Sequence, residues 1–432
     1  MTRRGLVARY ARPSRLSGPI IEADLDDVFV GEICDVRAHW MREPVVAKAQ
    51  VIGFRDGMAV LSLQGSPTGL SRNSLVMPTG GMLRVDIDDA MLGGVFDASG
   101  HCMSRMAAIR YSGRACQVRE LEARPPDFMA RAPIKDRFLT GLRAIDGMTA
   151  CGVGQRIGVF AEAGTGKTTL MQMLIDHSSA DVYVVGLIGE RGREVTEIVE
   201  HIGRSPNRAR TVVIYATSDA PSLDRCNAAL LATTVAEYFR EAGLHVLLLQ
   251  DSLTRYVRAL RDVSLAAGEP PARRGYPASV FEALPRLLER PGALRQGGSI
   301  TAFYSVLLES ANEADPMAEE IRSILDGHIH LSRQLAARHH YPAIDVRRSL
   351  SRTASAVCDA THLQAAASVR RKLDRLDELQ MLTDLGEFRP GERPEDDRLL
   401  QCKPLIDKWL QQANAEYCAD ETMLRGLHEI AR

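Results

Sequence analysis

The residues with the clearest chemistry lie at 161–168, Ala161-Glu162-Ala163-Gly164-Thr165-Gly166-Lys167-Thr168. They carry the ending of the phosphate-cradling pattern G-x-x-x-x-G-K-[ST], with Ala161 in place of its first glycine. Gly164 and Gly166 let backbone N–H groups turn inward around phosphates, and a helix starting at Lys167 adds its positive end. In such a loop Ala163, Gly164, Thr165, Gly166 and Thr169 line the phosphates. Lys167 reaches the β/γ-phosphates and the Thr168 hydroxyl ligates Mg²⁺. The bland reading is a glycine-rich turn that binds nothing, and the flanking strand and helix argue against it. The chain has no N-K-x-D guanine-reading motif, so ATP is expected over GTP.

A loop of this kind needs a carboxylate at the end of a neighbouring strand. His245-Val246-Leu247-Leu248-Leu249-Gln250-Asp251 supplies one, and Asp251 is a metal-site candidate. A helix cap for the following Ser252-Leu253-Thr254 is the competing role. Hydrolysis also needs a group to orient water, and a second apolar run, 182–188, leads into Gly189-Glu190-Arg191-Gly192-Arg193-Glu194. Glu190 falls just past a strand end, where parallel α/β sheets build their sites. It reads as a candidate general base or as one charge of a solvated loop.

These residues need a scaffold that brings strand ends together. From about 136 onward, apolar runs alternate with helical stretches: 156–160 then 167–177, 182–188 then 194–203, 211–216 then 225–241, then 245–249 and 299–307. That alternation predicts a mainly parallel α/β sheet. Before it, residues 1–80 read as several short strands, with Asp56-Gly57 as a hairpin signal between runs at 45–54 and 58–63, and so as a small barrel. Residues 81–135 read as an irregular connection. After about 353 strand signals stop, and 361–432 read as helices broken at 386–394. The balance of 54 Lys and Arg against 55 Asp and Glu argues against a dedicated nucleic-acid binder. No apolar run has the ~18–20 residues a bilayer requires. The N-terminus lacks a signal peptide's apolar stretch, and eight scattered cysteines without a C-x-x-C pair read as reduced thiols.

Longer motifs then narrow the reading. Gly189–Glu194, the run 250–256 (Gln-Asp-Ser-Leu-Thr-Arg-Tyr) and the run 322–328 (Arg-Ser-Ile-Leu-Asp-Gly-His) resemble the catalytic subunits of rotary ATP synthases and, more closely, the type III secretion ATPases. Residues 143–147, 151–156, 266–270 and 273–277 resemble the injectisome branch, and 18–23 and 69–72 its invasion-type members. The resemblance implies a RecA-like P-loop core (81–352, with 81–135 as connection), a small N-terminal β-barrel (1–80) that oligomerises, and a C-terminal helical domain (353–432) that docks substrate. It implies a homohexamer with shared sites. Residue by residue, Lys167 and Thr168 match the phosphate and Mg²⁺ ligands, Asp251 the metal-site carboxylate, and Glu190 the catalytic glutamate. Arg191 and Arg193 match its flanking arginines, Arg352 the arginine that reaches a neighbour's γ-phosphate, and Tyr341 the aromatic that stacks on adenine.

Partner readings follow from the same source. The proline-rich loop 268–277, with Arg273 and Arg274, is expected to face a central stalk protein. Five arginines within the first fifteen residues suggest a stator-binding or membrane-proximal segment, or simply a basic tail. The C-terminal domain is expected to receive chaperone–effector complexes beside an export gate, at the cytoplasmic face of a Gram-negative inner membrane. Competing classes are a flagellar export ATPase, a non-hydrolysing nucleotide-binding subunit, and a hexameric RNA helicase. Glu190 and Arg352 in one chain speak against the second. Against the third, 1–80 has only four aromatics to stack bases, Tyr10, Phe29, Trp40 and Phe54.

Overall fold

The computed structural model describes residues 9–39, 44–109, 113–308 and 315–432. Trp40 and the arginines at 3 and 4 lie outside them. Six strands form the first unit, in the spatial order Pro13–Ser17, Ile20–Ala23, Met58–Gln64, Val45–Arg55, Glu32–Arg37 and Leu75–Met82. A bridge between Ala11 and Val76, with N–H···O distances of 3.0 and 2.9 Å, joins first strand to last and closes the barrel, which removes its free edges. Asp56 and Gly57 both take positive φ, the backbone that a two-residue hairpin turn between Arg55 and Met58 requires. Alternate residues such as Ile21, Cys34, Val51, Leu61 and Val76 fill the interior. Arg9 pairs with Asp27 and Arg15 with Glu22, so two of the N-terminal arginines are used by the barrel itself.

The main sheet runs in the order Leu350–Ser351, Gly327–His330, Arg156–Ala161, Ser299–Leu307, His245–Asp251, Val182–Glu190, Thr211–Thr217, Gly94–Phe96 and Cys102–Arg105, with Gly292–Ala293 paired alongside Ser299–Leu307. The strands from Gly327–His330 to Gly94–Phe96 in that order are parallel. The expectation of an irregular 81–135 fails: two strands of this segment complete the sheet's far edge, and Arg84–Ile87 pairs with Gln117–Glu120. These strands are three or four residues long, too short for a period-two pattern to register.

Strand alternation sorts the core into two layers. Val246 and Leu248 pack with the long helix Ser222–Glu241, while Leu247 and Leu249 pack with the helix Lys167–His177. At the strand's end Gln250 donates to Ala229 O and Thr233 Oγ1, both at 2.9 Å, on the long-helix side. Asp251 faces the other way.

The last unit is the helices Ala360–Asp384, Pro394–Leu410 and Asp420–Ala431. The expected break at 386–394 is present, and a second falls at residues 411–419. No described helix is long and apolar enough to cross a membrane.

Candidate active site

The helix Lys167–His177 begins after Gly166, whose φ of 86° is left-handed, as is that of Gly164 at 78°. A Cβ on Gly166 would meet the Tyr341 ring at 3.3 Å, so that ring rests against the loop's second glycine. Thr165 is buried, and its hydroxyl donates to Glu162 O at 2.8 Å, fastening the turn. Ala163 lies exposed at the tip, and Thr168 and Thr169 are partly buried in the helix's first turn.

Lys167 reaches across to two neighbouring strand ends. Its ammonium contacts Asp251 Oδ1 and lies 3.3 Å from Glu190 Oε1. Both carboxylates are almost fully buried, Glu190 at 2% and Asp251 at 1% exposure. The helix-cap alternative for Asp251 falls away, because Ser252 is the N-cap of Leu253–Ala267, accepting from Arg255 N at 3.3 Å. Asp251 is left to Lys167 and to Ser305, whose hydroxyl donates at 2.5 Å.

Glu190 is the last residue of its strand and not part of a solvated loop. Along that strand Val182, Val184 and Ile188 pack towards the long helix, so plain alternation would point Glu190 there as well. The register shifts between Ile188 and Glu190, at Gly189 with φ of 68°. This bulge turns the carboxylate round to Lys167.

A cation that sequence reasoning missed holds the other side of Glu190. Arg255 ion-pairs with Glu190 Oε2 and crosses directly over Gly189, where a Cβ would meet Arg255 Cδ at 3.0 Å. Its signal was its place on the first helical turn after Asp251, inside the run 250–256 that carries the family resemblance. Glu194 joins the cluster: its carboxyl lies below the usual range, first through a hydrogen bond with Glu190, against the opposing effect of burial, and then through Arg255, Arg191 and Lys167. Arg191 is exposed at the helix entrance, and Arg193 pairs at 3.5 Å with Glu197 on its own helix face, not with Glu190 or Asp251.

Arg352 lies elsewhere. Its N–H donates to Asp326 O at 2.9 Å, level with Arg156 at the start of the P-loop strand, and its side chain is exposed. Tyr341 lines a cleft of about 750 Å³ with Arg143, Gln411, Gln412 and Asn414, and its carbonyl accepts from Gln412 N at 3.0 Å.

Comparison with known proteins agrees with this geometry. Residues 14–80 match the ATP synthase alpha/beta family, beta-barrel domain, and residues 141–351 its nucleotide-binding domain. Residues 358–429 match the T3SS EscN ATPase C-terminal domain. The SPI-1 type 3 secretion system ATPase of Salmonella typhi is 53% identical over 99% of this chain and 98% of its own length. The chain belongs to the type 3 secretion system ATPases. A flagellum-specific ATP synthase of Bacillus subtilis stands further off, at 39% over 98% of this chain and 95% of its own. The assembled ATPase EscN from enteropathogenic E. coli superimposes with a TM-score of 0.89 at 40% identity, covering 98% of this chain and 100% of that one. EscN in complex with its central stalk EscO gives 0.86 at 39%, with the same coverage. This secretion ATPase is thus a nucleotide-binding, ATP-hydrolysing enzyme with a RecA-like core, an N-terminal β-barrel and a C-terminal helical domain.

Proposed function

We propose that this secretion ATPase hydrolyses ATP at the Lys167–Glu190–Asp251 cluster and that assembly into a homohexamer completes the site. The observation that carries the reading is the Lys167 ammonium held between two buried carboxylates at the carboxyl ends of adjacent parallel strands. The loop of Ala163, Gly164, Thr165, Gly166 and Thr169 takes the phosphates. A triphosphate competes with the carboxylates for Lys167. As the ammonium moves to phosphate, Glu190 Oε1 is released while Arg255 still holds Oε2. Glu190 is then released from Lys167, with Glu194 as its neighbour, to orient and deprotonate water, and fixed by Arg255. Arg191 stays at the rim as a phosphate-side cation, with Arg193, paired to Glu197, flanking it.

The Thr168 hydroxyl and the Asp251 carboxylate are hard oxygen donors, too few for an all-protein cage. That set fits Mg²⁺, which keeps several waters and takes phosphate oxygens as ligands. When bound, Mg²⁺ neutralises charge developing on the phosphates. Tyr341 offers its ring to adenine at the mouth of the cleft.

Arg352 serves a neighbour's site, and the resemblance to an assembled EscN supports a ring in which every chain gives one arginine and receives another. Hydrolysis is coupled to protein export at the cytoplasmic base of an injectisome, peripheral to the inner membrane, by releasing chaperones from effectors or unfolding them. The C-terminal helices receive those complexes and pass them to an export gate, and the N-terminal segment meets a stator. The exposed turn at 272–276, pinned by paired N–H···O bonds between residues 272, 273 and 276, carries Arg273 and Arg274 towards a central stalk such as EscO is for EscN.

The experiment is ATP turnover by Glu190→Gln. The expected result is intact nucleotide binding with turnover lower by about 10²–10⁴. Wild-type turnover in this variant would remove Glu190 from the role.

A further inference from the structure

The one-turn helix Phe128–Ala130 carries Phe128 at 80% and Met129 at 71% exposure, the two most exposed large apolar side chains among the described residues. They are held out by a braced segment. Asp127 Oδ1 accepts from Met129 N at 2.9 Å, and two 2.9 Å bonds, Arg295 N to Ala130 O and Ala132 N to Ala293 O, sew the segment to the hairpin at the foot of the main sheet. Arg131 adds an ion pair to Glu289 at 3.2 Å.

The same end of the sheet carries Arg352. A Cβ on Gly152 would meet both Ile134 Cγ2 and, at 3.4 Å, Thr353 Oγ1, so this segment runs to within one residue of Arg352. Leu350, half exposed, lies two residues before it. The charges between are already paired: Arg156 bridges Glu289 and Asp326. An apolar centre inside a neutralised polar rim is the make-up of a protein interface.

We propose that Phe128 and Met129 pack against a second copy of this chain, on the surface that offers Arg352 to it. The occupant follows from continuity: Arg352 lies at the sheet's edge, four strands from the Asp251 strand that holds its own Lys167, and a copy that receives it meets the adjoining apolar pair. The inference rests on the shared-site reading above.

The test is sedimentation velocity together with ATP turnover per chain across a protein dilution series, for wild type, F128S/M129S, F128L/M129L and Arg352→Ala. The serine pair is expected to move the assembly midpoint to at least about tenfold higher protein, since two buried apolar side chains are lost from each contact. Turnover per chain should recover at saturating protein, and the leucine pair should restore the midpoint. Arg352→Ala should assemble as wild type without turning over. An unchanged midpoint in the serine pair overturns the proposal, as does lost turnover with assembly intact. A lowered melting temperature in dilute protein counts against it too, because side chains this exposed hold nothing inside the protomer. If Arg352→Ala keeps its turnover, the shared-site reading fails on its own, while sedimentation still judges the apolar pair.

Discussion

Mixing two inactive variants tests whether Arg352 acts between chains. Strand order sets the distance involved. Arg352 lies level with Arg156, five residues before the P-loop strand ends at Ala161. Lys167 doubles back to Asp251, whose strand lies four places across the sheet from Leu350–Ser351, so the separation is about 19 Å at the usual strand spacing. No arginine side chain covers that span, so within one chain Lys167 and Arg352 cannot meet a single γ-phosphate. Lys167→Ala should be inactive for want of its phosphate ligand. Arg352→Ala should fall by about 10³–10⁵, the worth of an arginine finger. In a 1:1 mixture that assembles at random, a site works only when an Arg352→Ala chain supplies Lys167 and a Lys167→Ala chain supplies Arg352. The two choices each have even odds, so about a quarter of sites are restored against a background near zero. The assay is steady-state phosphate release at saturating protein, before and after subunits exchange. A mixture no more active than the sum of its parts, while exchange is shown by labelled chains, would refute the reasoning and return Arg352 to its own site.

Two further outcomes follow from the structure. Gly189→Ala forces a left-handed backbone on a residue with a Cβ, costing about 1–2 kcal/mol, and drives that Cβ against Arg255 Cδ at 3.0 Å. A lower melting temperature and turnover down by about 10²-fold are expected as Glu190 swings from Lys167, with KM for ATP little changed; unchanged kcat would show that the bulge does not aim Glu190. His330, stacked on Phe160 at 5.2 Å, is pushed down to about 3 by burial first and then by Arg348, His328 and Arg322. The unfolded chain therefore binds a proton that the fold refuses, so stability is full above about pH 6.5 and is lost as pH falls towards 3. Urea midpoints at pH 5 and 7.5 should differ less in His330→Leu than in wild type, and an equal difference would exclude this histidine.

Sequence patterns recovered the elements that satisfy strong local rules. The helix Lys167–His177 and the strand Ser299–Leu307 lie where the apolar runs put them, and Asp56-Gly57 makes the turn that its backbone preference demands. The barrel itself was expected from its short strands, but not the bridge joining Ala11 to Val76 that closes it, which spans most of the unit and uses backbone groups that any side chain permits. Neither were the short strands at Gly94–Phe96 and Cys102–Arg105, held by the sheet edge more than by their own propensity.

The same distinction explains the site. Lys167, Thr168 and Asp251 could be singled out from sequence because their positions are fixed by covalent neighbourhood: a loop ending, a helix start, a strand end. Glu190 was read as lying just past a strand end and is instead the strand's last residue, aimed by a one-residue bulge, and a bulge changes register without changing composition. Once Gly189 turns the strand, it also removes the side chain that would block Arg255, so one glycine both points the glutamate at Lys167 and admits the arginine that steadies it. Arg255 and Arg193 are alike on paper, each an arginine four or fewer residues from a candidate carboxylate. The fold separates them. Helix Leu253–Ala267 carries Arg255 over Gly189 to Glu190, whereas Arg193 sits on the exposed face of its helix with Glu197. Which arginine serves the carboxylate is decided by the direction in which each helix leaves its strand, a property of packing that no spacing between residues encodes.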